Sequence, residues 1–232
     1  MSRIEIIPVE GIPEVRAGDV LAEIIVDRID ILDGDVVVVT QKVVSKAEDR
    51  LVDVDEGDPG ARRALIESES IRVLRRREEL IVSETRHGFV CANAGIDISN
   101  VPLGRAALLP IDPDRSARRI RDGIRARAGV EVGVIVSDTF GRPWRVGVTD
   151  VAIGCAGIAA VVDLRGTTDS GGRTLLATEV AVADELAGAA ELVMGKSRDI
   201  AAAVVRGVDA TWLRESSVRG EIVRPHREDL FR

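Results

Sequence analysis

Two stretches of this chain place acidic, hydroxyl and amide side chains at the ends of apolar runs. The first, Asn93-Ala-Gly-Ile-Asp97-Ile-Ser-Asn100, follows Phe89-Val-Cys and precedes Pro102 and Gly104. A small-residue loop leaving a strand gathers backbone N–H groups, a carboxylate and a carboxamide in one exposed place. The second, Val132-Gly-Val-Ile-Val-Ser-Asp138-Thr139-Phe-Gly-Arg142-Pro-Trp144-Arg145, reads as a buried-type strand running into an acidic loop with two arginines. Two carboxylates and the Thr139 hydroxyl suffice as ligands for magnesium or manganese bridging phosphate oxygens. The working expectation is therefore that Asp97 and Asp138 meet around a divalent metal carrying a nucleotide phosphate. The plain alternative is that both are Asx-turn residues closing loops.

The basic residues inform by kind. Of 32 Lys plus Arg, only Lys42, Lys46 and Lys196 are lysine. A chain that writes Arg nearly everywhere else has a use for compact ammonium groups at these three loop-like positions. Met194-Gly-Lys196-Ser197 holds the Gly-Lys-Ser end of a phosphate-binding loop, but the required first glycine falls at Ala190 and the preceding segment reads as helix. Lys196 could point at phosphate or simply cap the helix C-terminus. Asn100 could bond a ligand or close its own loop. Arg142 and Arg145, beside Asp138, are placed as carboxylate or phosphate forks. With only His87 and His226 in the chain, a Ser-His-Asp triad is disfavoured. That favours phosphoryl or acyl-phosphate chemistry, in which metal and positioning dominate.

Composition sets the bounds. At 232 residues, 45% hydrophobic and 31% charged, the chain has an ordinary globular balance and enough length for a real core. A net charge of −7 disfavours general nucleic-acid binding. Cys91 and Cys155 form no C-x-x-C pair, so neither a zinc ribbon nor a disulfide framework is expected. No apolar run is long enough to span a bilayer, and the first residues lack the apolar core of a signal peptide. A cytoplasmic protein without nucleic-acid or membrane partners is expected.

The elements that must position these residues follow from periodicity. Ile4–Val9 alternates as a strand, and Gly18–Ile29 carries a helical stripe. Val36–Val39 is apolar on both faces and hence central in a sheet. Asp53–Pro59 reads as a surface connection, and Ala61–Arg77 as an Arg- and Glu-decorated helix. Ile81–Ser83 and Phe89–Ala92 pair as strands. Asp112-Pro113 starts a helix with Ala117, Ile120 and Ile124 buried and Gly129 as its C-cap. Val148–Val162 is small and apolar, with Gly154 and Gly157 admitting close backbone approach. A polar Gly-rich loop over Arg165–Arg173, a strand over Leu175–Val180, a helix over Asp184–Met194, a strand over Ala202–Val205 and a polar tail complete the chain. With no repeat or linker, one domain over 1–232, or two interleaved lobes, is expected.

Glu10-Gly-Ile-Pro, Val43-Val-Ser-Lys-Ala-Glu48, Asn93–Asn100, Ser137–Arg142, Thr178–Glu185 and Val204–Gly207 occur in this order. Together they resemble the coenzyme F420-0:L-glutamate ligase family from Ile4 to Gly207. The resemblance implies an α+β fold of the F420 ligase type, with mixed β-sheet and packed helices, in an intertwined homodimer. It implies a GDP-forming, amide-forming ligase that uses GTP, magnesium or manganese, and in some members potassium. The γ-phosphate of GTP would activate a carboxylate of F420-0 (or dehydro-F420-0) as an acyl phosphate, which L-glutamate then attacks. By position, Asp97 and Asp138 become the catalytic pair and, with Thr139, the metal ligands. Gly11, Ile12, Pro13, Glu14, Gln41, Lys42, Lys46, Asn100 and Lys196 become nucleotide contacts. This chain carries Lys196 where some members have an acidic residue, so no second metal ligand carries over there. Phe140 and Trp144 either stack on the deazaflavin or pack their own loop. The competing readings are a nucleotide-binding regulatory protein and a metal-dependent phosphohydrolase on the same fold.

Overall fold

The computed structural model describes residues 3–55 and 57–229, so Glu56 of the expected acidic connection and residues 230–232 of the tail lie outside the described residues. The first half runs β1 (Glu5–Pro8), α1 (Leu21–Val26), β2 (Val36–Thr40), α2 (Gln41–Ala47), β3 (Leu51–Asp53), α3 (Pro59–Ser68), β4 (Ser70–Arg77), β5 (Leu80–Thr85), β6 (Val90–Ala92) and β7 (Arg105–Ala107). The second half runs α4 (Pro113–Ala128), β8 (Gly133–Arg142), β9 (Arg145–Ala156), β10 (Val162–Asp163), β11 (Glu179–Val180), α5 (Val182–Met194), β12 (Ala202–Arg206) and α6 (Val218–Glu221). The result is an α+β molecule on a mixed sheet, as expected. No helix among the described residues is long and apolar enough to cross a membrane.

The main sheet has the order β1-β12-β2-β8-β9. Val36–Val39 and Ala202–Val205 lie at its centre with no exposed surface, which is why both strands are apolar on both faces. Only β2 and β8 are parallel, with Thr40 opposite Ser137. The remaining pairs are antiparallel. These directions bring the C-terminal ends of β1, β2 and β8 to the same edge as the N-terminal end of β12. Val9 N–H donates to Ala202 O at 2.9 Å and Thr40 N–H to Ala201 O at 2.9 Å, which ties that edge together.

The helix packed on β8 and β9 starts and stops where its sequence dictates. Asp112 accepts from Arg115 N–H at 3.0 Å, Pro113 occupies the first turn, and Gly129 ends α4 in the left-handed conformation. Just inside, the buried Asp114 carboxylate accepts from Cys155 N–H at 2.9 Å and Val218 N–H at 2.8 Å. One side chain thus ties α4 to β9 and to the start of α6.

Several elements depart from the periodicity. The helix expected over Ala61–Arg77 stops at Ser68 and becomes strand β4, paired antiparallel with β5. Ser70 Oγ bonds both Ile66 O and Ser83 Oγ at 2.7 Å, ending the helix and fastening the strand in one step. The arginine run is helix-compatible by propensity, but pairing with β5 decides it. β4-β5-β6 form a separate small sheet around Ile66, Ile81 and Ala94. The helical stripe after Gly18 yields only Leu21–Val26. Of Leu175–Val180 only Glu179–Val180 pairs as strand, because Leu175 instead bonds Gly166 and Thr167 within the preceding loop.

Candidate active site

The shared edge of the main sheet borders a cleft of about 520 Å³. Ile12, Pro13 and Glu14 enter it from the segment after β1. Gln41, Lys42 and Lys46 come from α2, Asp97, Ser99 and Asn100 from the loop after β6, and Ser137, Asp138 and Thr139 from β8. Asp150 lies on β9, and Glu191 and Lys196 come from α5 and its exit. Of the metal ligands and nucleotide contacts implied by the resemblance, Gly11 alone does not line the cleft. Its carbonyl accepts from Arg28 Nε at 2.7 Å outside it.

Asp97 sits in a loop built by consecutive left-handed residues, with φ of 50° at Asn93, 53° at Ala94 and 70° at Gly95. Only small or Asx residues adopt this readily, which accounts for Asn-Ala-Gly. The loop is anchored twice: Asn93 Oδ1 accepts from Ile81 N–H at 3.0 Å, and Asp97 exchanges backbone bonds of 3.0 and 2.8 Å with Ala107 of β7. Asp97 Oδ1 accepts from Ser99 N–H at 2.7 Å, so the Asx turn is real, while Oδ2 faces Lys42 Nζ at 3.0 Å. Turn-closing and cleft-lining roles coexist in one carboxylate. Burial opposes its charge, but the bonds from Ser99 and Lys42 outweigh burial and hold its pKa below the usual value.

Asp138 and Thr139 occupy strand, not loop. β8 continues to Arg142 because β9 pairs with it along its length, setting Thr139 opposite Asp150. Asp138 Oδ1 accepts from Thr139 N–H at 2.8 Å, and no ion pair to Asp138 forms among the described residues. Desolvation, reinforced by the charges of Asp150 and Asp97 and opposed by the Thr139 N–H and Lys196, pushes this carboxyl up to about 7. The two aspartates therefore share one cleft and feel each other's charge.

All three lysines of the chain line this cleft, and among the described residues no arginine does. Lys42 and Lys46 stand on α2, one helical turn apart, rather than in a loop. Lys46 Nζ is 2.6 Å from Glu14 Oε1, and Lys42 Nζ also donates to Ser99 Oγ at 2.9 Å. Gln41 borders the cleft, but its amide nitrogen is engaged elsewhere, donating to Leu108 O at 3.0 Å and Ser45 Oγ at 2.7 Å. Arg142 and Arg145, read from the sequence as carboxylate or phosphate forks, do not line the cleft. Arg142 instead donates to Val146 O at 2.9 Å within its own hairpin. Phe140 packs edge-on to Phe89 at 6.1 Å, the loop-packing alternative, whereas Trp144 at the hairpin tip is 85% exposed.

Sequence reasoning passed over Asp150. This carboxylate is 2% exposed and accepts from Ser137 Oγ at 3.0 Å, Thr139 Oγ1 at 2.6 Å and Lys196 Nζ at 2.9 Å. Its signal lay in the hairpin register, since a turn at Pro143-Trp144 places Asp150 across from Thr139 and Val151 across from Asp138. Glu191, 3.0 Å from Lys196 Nζ, was hidden in a helix read only for its apolar face.

The donor set suits a hard divalent ion. Among the described residues no three acidic, imidazole or thiol groups converge to hold a metal unaided. Asp97, Asp138 and Thr139 offer two carboxylates and a hydroxyl, and magnesium is usually held by one or two carboxylates completed by phosphate oxygens and water. Thr139 gives its proton to Asp150, so its oxygen keeps lone pairs for other partners.

Residues 11–207 match the family described as F420-0:gamma-glutamyl ligase. The chain is 44% identical over 249 residues to a protein of Methanothermobacter thermautotrophicus named coenzyme F420:L-glutamate ligase, with 99% of each covered. Proteins of the same name from Methanopyrus kandleri and Archaeoglobus fulgidus are each 43% identical, covering 99% of this chain and 97% of theirs.

Proposed function

The chain belongs to the F420-0:gamma-glutamyl ligase family, and on that premise we propose that it joins L-glutamate to coenzyme F420-0 with GTP as phosphoryl donor and a divalent metal in the cleft. One observation carries the metal and nucleotide part of this reading. The cleft is lined by six carboxylates (Glu14, Asp97, Asp138, Asp150, Glu191 and Asp199) against three lysines. A triphosphate would add still more negative charge, so it can enter only with added cations. Asp97, Asp138 and Thr139 would hold magnesium or manganese, which when bound neutralises and orients phosphate oxygens.

The chain's own groups exchange partners as the nucleotide arrives. Lys42 leaves Asp97 for a phosphate oxygen, freeing that carboxylate. Lys46 does the same from Glu14. Asn100, in the left-handed conformation at the rim, offers its carboxamide. With the phosphates held, a carboxylate oxygen of the acceptor attacks the γ-phosphorus, the bond to the bridging oxygen breaks, and GDP leaves. The neutral amine of glutamate then attacks the acyl carbon, loses a proton and expels phosphate as the amide forms.

Incubation with F420-0, L-glutamate, GTP and manganese tests the reading by the mass of added glutamyl units. Phosphate release without an acceptor would select the phosphohydrolase instead, and GTP binding without either product the regulatory protein. Lys46→Ala is expected to weaken GTP binding by about 10- to 100-fold, since a charge-assisted phosphate contact is lost. Calorimetric titration checks this, and an unchanged affinity removes Lys46 from the phosphate site.

The same proposal includes a homodimer. Trp144, Val146 and Val148 are 85, 99 and 63% exposed on the hairpin that extends β8 and β9 from the cleft. Apolar side chains clustered on an exposed sheet extension invite a partner surface. Val146→Asp combined with Val148→Asp is expected to turn a dimer into a monomer at micromolar concentration, read by light scattering. A double variant that still runs as the parental dimer places the interface elsewhere.

A further inference from the structure

Lys196 is held unlike the other two lysines. Its ammonium contacts Asp150 Oδ1 at 2.9 Å, Glu191 Oε1 at 3.0 Å and Thr139 Oγ1. An ammonium has three N–H donors, and here all three are in use. A phosphate oxygen could be served only by giving one of them up. Lys42 and Lys46, by contrast, each face a single carboxylate. Two of the acceptors around Lys196 are themselves held by hydrogen bonds. Asp150 is buried and bonded on both oxygens, and Thr139 is locked by donating to it.

We propose that Lys196 is a resident cation of the cleft: its ammonium fills a three-oxygen cage formed by Thr139, Asp150 and Glu191, and so excludes a second metal ion from that position. The cage carries two carboxylates, one of them buried. Without the ammonium, the buried Asp150 charge would be left uncompensated, and buried unpaired charge is costly enough to draw in a replacement cation. Both carboxylates bond the ammonium, Asp150 at 2.9 Å and Glu191 at 3.0 Å, which offsets the cost of its partial burial. Its carrier segment is shaped for the task. Gly195, with φ of 61°, ends α5 and lets the chain reverse so that Lys196 reaches back to Glu191 on the helix it has just left.

The number of ions expected for the unsubstituted protein rests on the Asp97–Asp138 metal site proposed above. The increase on removing Lys196 does not. Manganese alone is titrated into the full chain, and bound ions are counted by electron paramagnetic resonance and calorimetry, in parallel with Lys196→Met and Lys196→Ala. Methionine keeps the length of the stem and preserves packing should alanine disturb the fold. One ion in the unsubstituted chain and two in Lys196→Met is the expected result. Asp150→Asn added to Lys196→Met should return the count to one. None rising to one would support the cage while removing the Asp97–Asp138 site. Equal counts with and without Lys196, or an added ion that persists in the Lys196→Met, Asp150→Asn double variant, would overturn the proposal.

Discussion

Asp138→Asn is expected to lower kcat/KM for glutamate addition by on the order of a thousandfold while making the metal-free protein more stable. Asparagine keeps the acceptor for the Thr139 N–H, bonded at 2.8 Å, so the strand and its hydrogen bond survive. What is lost is an anionic ligand. The stability effect follows from the raised pKa, about 7 in the fold against 3.8 for the ordinary side chain. Between those values the native state holds a proton that the unfolded chain has released, and stability falls as pH rises through about 7. Above that point the metal-free native protein carries a desolvated carboxylate facing Asp97 and Asp150. Asparagine has no charge to desolvate. At about pH 8 the variant should be more stable by roughly 1–3 kcal/mol, a figure reduced from the full shift because Asp138 is partly open to solvent. At about pH 5 most of that advantage should vanish. Manganese should stabilise the parent and not the variant, and below about pH 7 it must displace a proton to bind, losing up to about tenfold in affinity per pH unit. Melting curves at the two pH values, with and without manganese, check all of this. A variant that is less stable at both, or that responds to manganese like the parent, would exclude Asp138 as a strained metal ligand.

The same carboxylate shows what a linear sequence can and cannot disclose. Asp97 and Asp138 were legible as a pair because each follows an apolar run, and both reach one cleft, Asp138 from β8 of the main sheet and Asp97 from the loop after β6. The three lysines were legible because lysine is rare against an arginine background, and all of them reach one cleft. Asp150 was not legible, since Val-Thr-Asp-Val reads as ordinary strand until the β8–β9 register sets it against Thr139. The change from helix to strand at Ser70 was hidden for a related reason. Ile71 to Arg77 has no strong preference of its own, and its partner, β5, decides. Local periodicity reports which face a residue presents. It does not report the neighbour across the ladder, and in this cleft that neighbour supplies the most buried charge.

Gly154→Ala is expected to unfold the region that holds this charge, costing about 4 kcal/mol or more and lowering Tm by roughly 10 °C. A Cβ at position 154 would lie 2.2 Å from Pro113 C, 2.3 Å from Pro113 O and 2.6 Å from Asp114 N. These are backbone atoms at the start of α4, so no side-chain rotation relieves the clash. The helix must retreat, and in doing so it pulls the Asp114 carboxylate away from Cys155 N–H and Val218 N–H, leaving buried groups unsatisfied. Cys155 and Asp150 lie on the same strand, β9, so the disturbance travels down the strand that fixes the cage around Lys196. Gly141→Ala is the matched control. Nothing lies within 4 Å of its Cβ position and its φ is not positive, so a change within about 0.5 kcal/mol is expected. Thermal melts of both variants decide the matter. Equal melting temperatures would mean that α4 can slide on β9 freely, and that the close approach at Gly154 is incidental to how the acidic end of β9 is held.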